Sequence, residues 1–198
     1  MVASVSNTLV KTYMPQPQSV LDFWFKDIDS KLWFSSNETF DAEVRKKFEK
    51  HAIEIVSDAS QEKPHFWESD ADKALALLLV LDQFPRNMYR GTALAFQWDL
   101  LAQGVARRML DKVWDFRIPQ KRRAFVYMPF MHAEDLDMQN QCVALCESRL
   151  EDESTLFHAK AHRDVIAKFG RFPHRNEILG RESTTAELKY LESGGYTP

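Results

Sequence analysis

Asp82-Gln83-Phe84-Pro85-Arg86-Asn87 follows an apolar run, Ala74 to Leu81, whose leucines have helical spacing. A near copy, Arg171-Phe172-Pro173-His174-Arg175-Asn176, follows another apolar helical pattern far along the chain. A third stretch, Tyr127-Met128-Pro129-Phe130-Met131-His132-Ala133-Glu134-Asp135, is likewise aromatic, then broken by proline, then charged. Proline lacks the N–H that a helical turn uses, and its ring crowds the turn before it, so each phrase is expected at a helix end. The costly side chains then fall where helix ends leave backbone groups without partners. Such corners form either a site or a set of reinforced joints.

Working outward, almost every other apolar segment is also helical in period, and glycine is scarce at 6 residues. Ser19 to Asp22 resembles a capping box for a short helix carrying Leu21, Trp24 and Phe25. Phe40, Val44, Phe48 and Ile55 mark a long helix over about Glu38 to Asp58. Ser69 to Asp72 caps the helix that Pro85 breaks. A fourth helix is expected from Thr92 to Lys112, and a fifth from Pro119 to near Pro129. A sixth holds Val143, Leu145 and Leu150, and a seventh runs from Asp152 to Phe169, with Gly170 as its C-terminal cap. Thr184-Thr185-Ala186-Glu187 starts the last. No alternating strand pattern competes. The chain reads as all-α, built of antiparallel helix pairs.

Short links between helices favour antiparallel neighbours. Helices ending near Phe84, Phe130 and Phe169 then point the same way, because each is two helices from the next. Their corners share one face, which carries Asp82, Arg86 and Asn87, then His132, Glu134 and Asp135, then Arg171, His174, Arg175, Asn176 and Arg181. The opposite corners, around Asp115 to Ile118 and Leu150 to Glu153, look plain.

The 198 residues suit a single helical domain over 17–198 behind a disordered tail, 1–16. Hydrophobic residues make up 44%, with 14 Phe and 5 Trp, enough for a solid core. A formal net charge of -3 argues against nucleic-acid binding, and Lys121-Arg122-Arg123 reads as a solvated face. No apolar run is long enough to span a bilayer, so no membrane partner is expected. Cys142 and Cys146, four apart on one helix face, read as buried free thiols of a cytoplasmic protein.

The phrases Asp82 to Asn87, Pro129 to Asp135, His162-Arg163-Asp164 and Gly170 to Asn176 resemble the family called domain of unknown function 924. The likeness starts near Val20-Leu21-Asp22-Phe23-Trp24-Phe25 and continues through Leu179 to Thr184. It implies a helical fold similar to tetratricopeptide repeats, though the full repeat period is absent here. Where the family commonly has His-Ser-Glu, this chain has His132-Ala133-Glu134, so no serine hydroxyl can act there. The resemblance implies no established reaction.

His132 with Glu134 is the candidate acid–base pair, the carboxylate orienting the imidazole. Arg86, Arg175 and Arg181 are candidates for gripping a carboxylate or phosphate through forked hydrogen bonds, with Asp82, Asn87, Asp135, Arg171, His174 and Asn176 around them. The structural alternative pairs the arginines with helix-end carbonyls or with Asp82 and Asp164. His158 and His162 are four apart on a helix but have no evident third ligand, so neither metal nor cofactor is expected. Trp24, Phe25, Trp33, Phe34 and Trp67 read as core. The leading expectation is a protein that binds a small anion or an acidic peptide end on this face. The alternatives are a metal-independent enzyme using His132 and Glu134, or a scaffold with tied corners.

Overall fold

The computed structural model describes residues 16–197, and among the described residues there are helices and turns but no strand. The expected tail, 1–16, lies outside them apart from Gln16. The chain starts with α1 (Pro17–Asp22), which runs into a π turn, Phe23–Asp27. Pro17 occupies its first turn, and Ser19 donates to the Gln16 carbonyl instead of capping, so the box expected there does not form. The amphipathic helix α2 (Glu38–Val56) is capped by Asn37.

At the centre lie α3 (Ala71–Leu78), a π turn (Leu79–Gln83) and α4 (Phe84–Met88), one unbroken helical path. Pro85 does not end it. The Phe84 N–H reaches five residues back to the Leu79 carbonyl, and this wider turn precedes the proline ring that would crowd a regular α turn. The helix ends instead at Tyr89, whose φ of -127° and ψ of 25° leave the helical region. No residue from Ala74 to Leu81 is more than 1% exposed, so this helix is surrounded on all sides. Each fully buried leucine contributes roughly 1.5–3 kcal/mol, which outweighs a local irregularity.

α1, α2, α5 (Asp99–Asp111) and α6 (Gln120–Met131) pack around it. The helix expected over Thr92 to Lys112 is split: Ala93–Phe96 form a 3-10 turn, Trp98 leaves the helical region, and α5 starts at Asp99. From α5 onward, consecutive helices pack side by side: α6, then α7 (Leu136–Arg149), then α8 (Glu153–Phe169). Pro129 also lies inside its helix, where Phe125 to Met131 are all buried. Gly170 ends α8 with φ of 70°, which a Cβ would strain. α9 (Thr185–Glu192) opens on a complete capping box between Thr184 and Glu187.

Cys142 and Cys146 are buried and free, with Sγ atoms 4.0 Å apart. Trp24 and Trp67 are core, while Phe34 is exposed and stacks with Phe125. Two expectations fail on buried charge. Arg123 is no part of a solvated face; it donates to the carbonyls of Ile118 and Arg149. The corner at Asp115 is not plain either: fully buried, it accepts from Tyr127 Oη (2.8 Å) and Arg149 Nη1 (2.7 Å). No helix among the described residues is long and apolar enough to cross a membrane.

Candidate functional site

The π turn before α4, the C-terminal cap of α6 and the turn after α8 come together at one pole. Asp82 comes from the π turn, where the widened backbone sets it beside the last residue of α6. There His132 caps α6, and its Nδ1 lies 2.8 Å from Asp82 Oδ1. Gln83 Nε2 donates to the other Asp82 oxygen at 2.6 Å. Arg86, one turn along, donates through Nη1 to the Asp82 carbonyl (2.8 Å) and forks onto Asp99 at 2.9 and 3.1 Å.

Burial would raise the Asp82 pKa, but the neighbouring Arg86 and His132 outweigh it and hold the carboxyl well below its usual range. Burial, reinforced by Arg86, lowers the His132 pKa against the opposing pull of Asp82. At neutral pH the pair is therefore a carboxylate and a neutral imidazole. Nδ1 must carry the proton it donates, which leaves a lone pair on Nε2. The His132 side chain is 15% exposed, so the pole is reachable from outside.

Arg175 differs from Arg86. It is 5% exposed, and its guanidinium lies between two rings, 4.4 Å from the centroid of Phe96 and 4.3 Å from that of Phe172. Nη1 donates to the His132 carbonyl at 3.1 Å, whereas Asp99 Oδ2 stands 3.8 Å away, beyond hydrogen-bond range. Nε is buried without a protein partner. Burial and the nearby Arg86 push its pKa down to about 10.

Residues 20–195 match the family model described as a bacterial protein of unknown function, DUF924. The chain belongs to the DUF924 family. It is also similar to a solved structure of a protein of unknown function, ATU0120, from Agrobacterium tumefaciens. That likeness has 37% identity and a TM-score of 0.82, and covers 90% of this chain and 97% of the other. A search of curated proteins finds no match.

In this DUF924 chain the pole gathers Asp82, Arg86, His132 and Arg175 from the sequence-derived set, and the rest serve elsewhere. Glu134 accepts from Arg181 (2.6 and 2.9 Å) and from the Phe172 N–H (2.8 Å); among the described residues no hydrogen bond joins it to His132. The carboxylate on His132 is Asp82. Asp135 is exposed and caps α7 by accepting from the Met138 N–H. Arg171 forks onto Glu187 and ties α9 down. Asn176 bridges Ser183 and Arg181, and Asn87 donates to Asp41 on α2. His174 packs against Phe172 with Nδ1 buried and unpartnered, and burial pushes its pKa down to about 4. Asp164 bonds the neighbouring Arg163 and none of the pole arginines.

Sequence reasoning missed Asp99, Phe96, Phe172 and Gln83. Asp99 was hidden inside what reads as one long helix. The signal that could have found it is the Trp98-Asp99 pair, an acid placed where a new helix would need one in its first turn. Two concavities on the described surface, of about 280 and 520 Å³, lie elsewhere: one beside Gln103 and Arg107, the other beside Lys168 and Thr184. Among the described residues no cluster of three or more His, Cys, Asp or Glu could hold a metal.

Proposed function

We propose that this pole binds a small molecule through a single carboxylate, with Arg175 as the gripping residue. The observation that carries the reading is the under-used guanidinium. A buried arginine offers five N–H donors, and here one is matched, to a neutral carbonyl. Arg86 is a poor candidate because Asp99 and the Asp82 carbonyl already occupy it. Charge counting narrows the ligand further. Two arginines and two aspartates already balance around a neutral imidazole, so a bound monoanion leaves one net negative charge and a dianion two, which favours the smaller charge.

Thermal denaturation of the parent and of Arg175→Met tests this. Small monocarboxylates should raise the melting temperature of the parent and not of the variant, because a ligand that binds only the native state stabilises it. Phosphate and sulfate should do less. Equal stabilisation of both proteins would sink the reading.

A second reading rests on the Asp82–His132 pair: the bound acid is also turned over, with His132 Nε2 as the base. A positioned base of this type contributes roughly 10²–10⁴-fold in rate. His132→Gln would then abolish turnover while ligand affinity stays near that of the parent. A parallel loss of binding would count against it.

A further inference from the structure

The pole contains a second imidazole. His162, on α8, is 4% exposed, with its ring centroid 6.2 Å from that of His132 and 5.6 Å from that of Phe172. Its Nδ1 lies 2.7 Å from the His158 carbonyl, one turn back along the helix, with the Tyr196 hydroxyl a longer 3.4 Å away. A carbonyl can only accept, so the proton sits on Nδ1 and Nε2 carries a lone pair. That Nε2 is buried and has no protein partner. The His162 ring stands edge-on to Phe172, whose ring also lies 4.3 Å from the Arg175 guanidinium, so His162 and Arg175 pack against the same aromatic.

His132 repeats the pattern, with Nδ1 on Asp82 and a lone pair on Nε2. Two neutral imidazoles thus bring acceptors to a pole where Arg175 brings donors. Burial and the nearby His132 push the His162 imidazole down to about 3, so it stays an acceptor at neutral pH. A ligand that matches both must be anionic at one end and donate a hydrogen bond at the other. An ammonium donor would sit among two arginines, which disfavours an amino acid.

We infer that the ligand is a small hydroxy acid, its carboxylate held by Arg175 and its hydroxyl donated to Nε2 of His162. This deepens the carboxylate-binding reading above and rests on it. Titration calorimetry of the full chain with two matched pairs separates the two claims: lactate against propionate, and 3-hydroxybutyrate against butyrate. In at least one pair the hydroxy acid should bind about tenfold more tightly, the range of one net hydrogen bond in a buried site.

His162→Asn keeps a donor at the Nδ1 position and removes Nε2; it should erase the preference for the hydroxy acid over its plain partner. His162→Gln, which returns an acceptor near Nε2, should restore part of it, and guards against a folding defect in the first variant. If plain and hydroxy acids bind equally, the hydroxyl assignment is wrong while carboxylate binding stands. If none of the four binds, both claims fail. A preference that survives intact in a folded His162→Asn overturns the role given to His162.

Discussion

Asp82 Oδ1 and His132 Nδ1 lie 2.8 Å apart although fifty residues separate them in the chain. The π turn within the central helix presents Asp82 to the C-terminal cap of α6. The contact fixes the His132 tautomer. Nitrogen-15 spectra should show His132 protonated on Nδ1 and bare on Nε2 at pH 7. The Asp82 carboxylate acts to raise the His132 pKa, so Asp82→Asn should lower it further. A doubly protonated His132 at pH 7 would contradict the assignment.

Stability should fall with acid in part through His162. Its folded pKa is about 3, against about 6.5 for an exposed histidine. Between those values the unfolded chain binds a proton that the folded chain refuses. The contribution is therefore complete above about pH 6.5 and is lost progressively as pH falls toward 3. One such group contributes a slope of about 1.4 kcal/mol per pH unit. Denaturant unfolding between pH 4 and 6 should show a shallower slope, by about that amount, in His162→Asn. Equal slopes would mean that His162 titrates normally in the folded protein.

The helices were largely legible in the sequence, because amphipathic period and cap residues are local signals. Gly170 and the Thr184–Glu187 box behave as local chemistry dictates. Proline was misread at Pro85 because burial of Leu79, Leu81 and Phe84 is a tertiary gain that local rules cannot weigh. The partner of His132 was misread for a related reason. Glu134 is near in sequence, but the α6 corner turns it toward Arg181 and Phe172, whereas Asp82 arrives through a packing contact.

Arg181 and Arg175 should respond oppositely to removal of charge. Arg181 satisfies both oxygens of Glu134 and also bonds Asn176. Arg181→Met strands a half-buried carboxylate, and should cost about 2 kcal/mol or more in denaturant unfolding. Arg175 is a buried cation with no carboxylate in hydrogen-bond range. Arg175→Met exchanges its burial cost for an apolar chain between two aromatic rings, and should leave stability within about 1 kcal/mol of the parent, or raise it. A loss of several kcal/mol from Arg175→Met would make this arginine structural and remove the ground for a carboxylate site.

The π turn and Pro85 should prove energetically coupled. A π turn holds one residue more than the α turn it replaces, so deleting Val80 permits a regular helix with the flanking registers kept. With proline retained, that regular turn would press its ring against the Leu81 carbonyl, a penalty of about 3 kcal/mol. With Pro85→Ala the clash vanishes and an N–H is regained. The lost packing of Val80, which is 1% exposed, is common to both backgrounds and cancels in a double-mutant cycle. The deletion should thus cost about 1–3 kcal/mol less in the Pro85→Ala background than in the parent. Strict additivity would mean that the wide turn exists for some reason other than the proline, and the placing of Asp82 against His132 would be the next cause to examine.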